Sequence, residues 1–114
     1  MSRRRQKNSG VKSLYFIACD DSRYVKIGLS QDVRARLSEL QGANAECLSL
    51  LLHFPIDDEA LEIEMHQALQ EFRMCGEWFQ PNPWLNQAML KLRAGAKLED
   101  VIAWLNAELK QEAA

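Results

Sequence analysis

Hydrophobic and polar positions alternate with period two around one turn early in the chain. Leu14 to Cys19 (LYFIAC) is rich in aromatic and branched residues, and Tyr24 to Leu29 (YVKIGL) repeats that character, so both predict strands. Asp20, Asp21 and Ser22 between them are turn formers. With the loop over Asp20–Arg23, Cys19 faces Tyr24, Ile17 faces Lys26 and Tyr15 faces Gly28. Alternation then puts Tyr15, Ile17, Tyr24 and Lys26 on one face of the hairpin. Leu14, Phe16, Ala18, Val25, Ile27 and Leu29 take the other, an apolar face expected to meet the core.

The pattern then changes to a helical period. Val33, Leu37 and Leu40 mark a buried stripe, with Ser30 or Asp32 as the cap and Gly42 as the stop. Arg36 falls inside that stripe, where a guanidinium needs a partner or a purpose. Cys47 to Phe54 (CLSLLLHF) is a near-continuous apolar run of a length that fits a buried strand. His53, near its end, reads more readily as structural than as part of a site. Asp57, Asp58 and Glu59 suit the start of a second helix, which is expected to run to about Phe72 on a stripe of Leu61, Met65, Ala68, Leu69 and Phe72. Glu62 lies on the edge of that stripe, with His66 one turn later on the same side. Arg73 to Phe79 reads as a turn, bent at Gly76 and pinned to the core by Trp78 and Phe79. Pro81-Asn82-Pro83 closes this part. Two more amphipathic helices follow, Trp84 to Arg93 and Leu98 to Leu109, broken at Gly95. A stripe of theirs left uncovered would serve a protein partner or self-association.

The expected architecture is α/β: a three-stranded, mainly antiparallel sheet flanked by helices, with a C-terminal helical extension packed on it. A chain of 114 residues suits one compact domain. No apolar run is long enough to cross a membrane, and the charged start has no apolar segment after it, which excludes a signal peptide. Cys19, Cys47 and Cys75 suggest neither a disulfide framework nor a zinc site; they read as buried free thiols and fit a reducing cytoplasm. The net charge of −2 argues against a broad nucleic-acid surface, but its distribution is uneven. Arg3, Arg4, Arg5, Lys7 and Lys12 precede the first acid, Asp20, so residues 1–12 read as a basic disordered arm able to touch phosphate backbones without reading sequence. A solvated tail is the other reading of that arm.

Three groups stand out as candidate chemistry. Tyr15 and Lys26 are diagonal neighbours across the hairpin, about 7–8 Å apart at the backbone. A lysine there can lower the phenol's pKa, or its stem can simply lie across the ring. Arg36 and Glu62 each bring one charge toward the sheet, as a buried ion pair or as parts of a site. Glu62 and His66 have the spacing of a zinc pair on a helix, but no third ligand has a convincing spacing. His66 then supports the carboxylate or acts as an acid or base at the edge of the site.

Taken in order, these residues resemble a known family. Ser13-Leu14-Tyr15, ten intervening residues, Lys26-Ile27-Gly28, and Arg36 eight positions after the glycine are similar to the core of the GIY-YIG nuclease superfamily. The later Glu62-x-x-x-His66 and Gly76-Glu77-Trp78-Phe79 resemble its small branch that writes KIG for YIG. The resemblance covers residues 13–80, leaving 81–114 as the helical extension. It implies a divalent-metal-dependent endonuclease hydrolysing phosphodiester bonds in DNA, with RNA also open as substrate. It further implies Mg2+ or Mn2+ on Glu62, Arg36 on a non-bridging phosphate oxygen, and Tyr15, with Lys26 nearby, activating water; His66 supports them. Two departures stand beside it. Lys26 replaces one of the two family tyrosines, and the family asparagine that follows the metal-binding glutamate has no counterpart at a matching position, Asn82 lying late. The alternative is a non-catalytic nucleic-acid- or protein-binding module on the same fold.

Overall fold

The computed structural model describes residues 11–113. Arg3, Arg4, Arg5 and Lys7 of the basic arm lie outside the described residues. Lys12 begins the first strand and pairs with Glu59 at 3.4 Å.

Strands β1 (Lys12–Cys19) and β2 (Val25–Ser30) form the expected hairpin. Its register places Tyr15 opposite Gly28 and Ile17 opposite Lys26. The turn closes with the Arg23 amide donating to the Cys19 carbonyl at 2.9 Å, and Arg23 takes a left-handed φ of 69°. Helix α1 (Val33–Gly42) follows, capped by Asp32, whose carboxylate accepts from the Ala35 amide at 3.1 Å. Strand β3 (Leu48–Ile56) pairs antiparallel with β1. It lies at the sheet edge, so it is half-buried rather than the buried strand its apolar run suggests; the same position makes room for Pro55, which cannot donate to a ladder. Helix α2 (Ala60–Ala68) passes into a short 3₁₀ turn, Gln70–Phe72. A two-residue strand β4 (Trp78–Phe79) adds a fourth member to the sheet, giving the antiparallel order β3-β1-β2-β4. Helices α3 (Pro83–Arg93) and α4 (Leu98–Ala113) complete the chain. No described helix is long and apolar enough to cross a membrane.

The sheet separates two apolar clusters. Under α1, Tyr15, Ile17 and Val33 pack with Leu37, Leu40, Leu48 and Leu50. On the other face Leu14, Phe16, Val25 and Ile27 meet Met65 and Leu69 near α2, Leu85 of α3 and Val101 and Leu105 of α4. The C-terminal helices therefore share the main core. A bulge in β3 lets the leucine run serve both sides. Ile17 pairs with Leu50, but Phe16 pairs with Leu52, so one residue is skipped and the side chains beyond it change face. Of the three free thiols only Cys19 is buried; Cys47 and Cys75 are exposed because they sit in the loops before β3 and β4 rather than on core-facing elements.

Candidate metal centre at the open edge of the second strand

β2 is covered by β4 only along its first residues, Val25 and Lys26. One more bond, from the Ile27 amide to the Glu77 carbonyl at 3.1 Å, ends the contact. Beyond it the edge is taken over by α2: His66 donates from Nε2 to the Ile27 carbonyl at 2.8 Å. A carbonyl can only accept, so this nitrogen carries the hydrogen. The candidate chemistry collects in the gap this leaves, beside Gly28.

Tyr15 reaches the gap from β1, 1 % exposed, its ring laid across Gly28. A β-carbon at position 28 would stand 2.6 Å from Tyr15 Cζ and 3.0 Å from Glu77 Oε1. Only the missing side chain allows the phenol and the carboxylate to meet there. Glu62 arrives from the first turn of α2 with its side chain 14 % exposed. Its Oε2 is shut off from solvent without a hydrogen-bond donor, 3.7 Å from His66 Nε2. Glu77 is held by the turn before β4. There the Met74 amide donates to the Trp78 carbonyl at 2.9 Å, Arg73 Nε donates to the Gly76 carbonyl, and Gly76 takes a φ of 58°. The ligand atoms of Glu62, His66 and Glu77 lie within 4.8 Å of one another, an arrangement that could hold a metal ion.

The electrostatics follow from burial and like charge. Desolvation first, and then the Glu77 carboxylate facing it, raise the Glu62 carboxyl to about 7 against the opposing charge of Lys26. Burial lowers the His66 imidazole and favours the neutral ring, while the bond to the Ile27 carbonyl, which keeps a hydrogen on Nε2, works the other way. Lys26 is buried on the Tyr15 face, as alternation requires, but its Nζ pairs with Glu77 at 3.2 Å and lies 5.6 Å from the Trp78 ring centroid. The cation that acts on Tyr15 is Arg36. Burial pushes the phenol up and the neighbouring guanidinium opposes it, so Tyr15 is not a lysine-lowered phenol. Arg36 is half-exposed on the rim of α1 and paired with Glu39 at 2.9 Å; no Arg36–Glu62 ion pair forms. The guanidinium sits among apolar neighbours in the helical projection, yet its length carries the charge out to the rim.

Tyr15, Lys26, Glu62 and His66 thus converge, with Arg36 reaching in beside the phenol. Glu77 is the member that reasoning from spacing missed. It brings a second carboxylate to the Glu62–His66 pair. Its signal was the Gly-Glu-Trp-Phe run itself, since a carboxylate between a bend and two core aromatics is fixed by both. Asn82 is a structural cap: it accepts from the Leu85 amide at 2.8 Å and donates to the Gln80 carbonyl at 2.8 Å. His53 is exposed on β3, on the far side of β1 from the site.

Comparison with curated proteins and with solved structures gives no significant match. The family model of the T5orf172 domain matches residues 12–107, which takes in every element from β1 into α4. The chain belongs to the T5orf172 domain family, a nuclease-like family related to the GIY-YIG nucleases.

Proposed function

We propose that this domain is a divalent-metal-dependent endonuclease that hydrolyses phosphodiester bonds in DNA. The observation that carries the reading is the convergence of Tyr15 and the Glu62–His66–Glu77 cluster over Gly28, at an edge of the sheet left open by a very short fourth strand. The motif order Leu14-Tyr15, Lys26-Ile27-Gly28, Glu62-x-x-x-His66 and Gly76-Glu77-Trp78-Phe79 supports placing the chain in the KIG branch of the superfamily.

The residues present fit a hard cation. A buried carboxylate oxygen without a donor beside a second carboxylate is unfavourable by itself and favourable around Mg2+ or Mn2+. Such an ion, held by Glu62, would polarise the phosphate and stabilise the leaving oxygen. Arg36 faces solvent on the side of Tyr15 and can hold a non-bridging phosphate oxygen, neutralising the charge that develops on it. Tyr15 would take the proton of the attacking water after losing its own phenolic proton to solvent, a loss that burial opposes and the Arg36 guanidinium beside it favours. His66 positions Glu62: it anchors their shared helix to the β2 edge by donating its Nε2 hydrogen to the Ile27 carbonyl, which sets the imidazole 3.7 Å from the carboxylate. Lys12 and the basic residues before it, Arg3, Arg4, Arg5 and Lys7, add sequence-independent attraction to the DNA backbone.

The test is nicking of supercoiled plasmid with magnesium or manganese by wild type, Glu62→Ala and Arg36→Ala, each shown folded by circular dichroism. Metal-dependent nicking is expected in wild type. It should vanish in Glu62→Ala and fall about 100-fold or more in Arg36→Ala, the loss typical of removing one charge-stabilising donor. Equal nicking by all three proteins refutes the assignment. DNA binding that needs no divalent ion and survives Glu62→Ala, without cleavage, would mark a binding module.

A further inference from the structure

We infer that Glu77 is the second carboxylate of the cation site and that Lys26 is the stand-in a bound cation displaces from it. This deepens the metal-dependent reading above and rests on it. Glu62 and Glu77 come to the gap from different elements, one from α2 and one from the turn before β4. They are the two hard oxygen donors of the cluster, whose ligand atoms lie within 4.8 Å of one another. Two oxygens that share a magnesium ion stand roughly 3–4 Å apart, a separation compatible with the span of the cluster. His66 is not the second ligand in this arrangement, because the nitrogen nearest Glu62 carries the hydrogen given to Ile27. A pair of carboxylates with a positioning histidine favours Mg2+ or Mn2+ over zinc.

Lys26 is the positive charge that the chain itself brings to the two carboxylates. Its side chain is 9 % exposed and its ammonium is 3.2 Å from Glu77 Oε1. One ammonium can neutralise one of the two carboxylates. Glu62 Oε2 is the oxygen left without a donor. A divalent ion balances both carboxylates and removes the need for the lysine's charge. The same reasoning gives Lys26 a use at a position where the related nucleases carry tyrosine.

The experiment is calorimetric titration of the full chain with Mn2+, comparing wild type with Glu62→Gln, Glu77→Gln, Glu77→Asp and Lys26→Met, each checked by circular dichroism. Wild type should bind one ion. Glu62→Gln and Glu77→Gln should each weaken binding at least about tenfold, the loss seen even for groups that merely support a ligand. Glu77→Asp keeps the charge with a shorter reach, so it should fall between wild type and Glu77→Gln and decides the matter where the latter does not fold. Lys26→Met should bind several-fold more tightly. Wild-type affinity in the folded Glu77 variants, with loss in Glu62→Gln, overturns the second ligand and leaves the nuclease reading standing. Unchanged or weaker binding by Lys26→Met overturns the displacement. A wild-type chain that binds no Mn2+ overturns this inference and the metal dependence together.

Discussion

Glu62 carries two opposed demands: the fold buries it, and the chemistry needs it charged. Its carboxyl binds a proton more tightly folded, at about 7, than at the ordinary 4.5 of an unfolded chain. The folded state therefore holds more protons between those values, and this contribution to stability is present at low pH and lost as pH rises through the window. His66 acts in the other sense, since burial lowers its pKa and stability falls as pH drops below its ordinary 6.5. The comparison with Glu62→Gln separates the two. Urea denaturation should show that variant more stable than wild type by on the order of 2 kcal/mol at roughly pH 8, with the difference shrinking toward pH 5. A difference independent of pH would mean that the carboxyl is not desolvated. Gly28 makes the second residue-scale prediction. A methyl there collides with the Tyr15 ring, so Gly28→Ala should cost about 1–3 kcal/mol in thermal or chemical denaturation and displace the phenol from the site. Unchanged stability together with unchanged nicking would show that Tyr15 is not held as described.

At the scale of elements, the site depends on short pieces held by their ends. α1 presents Arg36 from a helix of 10 residues whose first turn is fixed by the Asp32 cap. Asp32→Ala should lower stability by about 1 kcal/mol in denaturant titration. Nicking should fall further than stability accounts for, because the frayed turn lies next to Arg36. If nicking in Asp32→Ala merely tracks the folded fraction, Arg36 does not depend on the cap. β4 has only two residues, and their work is to end the coverage of β2 at Lys26 and to aim Glu77. Phe79, fully buried and 5.2 Å from the His66 ring, packs that turn against α2.

For the whole molecule, the consequential fact is that α3 and α4 belong to the core that supports the site. Leu85, Val101 and Leu105 are at most 1 % exposed and pack in the cluster that holds Phe16, Ile27 and Met65. Ile27 and Met65 lie beside the two attachment points of the site, on β2 and α2. A chain truncated after Gln80 should show no cooperative thermal unfolding, since it exposes the apolar face of the sheet and leaves α2 unsupported. A sharp melt from residues 1–80 would make the helices an accessory and return them to the role of a recruiting surface.

The hairpin, its register and the faces of its side chains were legible in the sequence because strand alternation is local and the turn residues pin it: Tyr15 faces Gly28 and Ile17 faces Lys26. So were the cap of the first helix, Asp32 being one of the two residues offered for it, the apolar stripes of the helices, and the anomaly of charged groups at Arg36 and Glu62. Where those charges went was decided by tertiary structure. Periodicity gives the direction of a Cβ atom, but a long side chain ends several ångströms away, and its partner depends on which element stops where. Lys26 turned to Glu77 instead of Tyr15 because β4 ends beside it, and Arg36 reached the rim instead of Glu62. The β3 bulge, the edge position of that strand and the meeting of Glu77 with Glu62 and His66 are likewise products of pairing between distant segments, which no local pattern encodes.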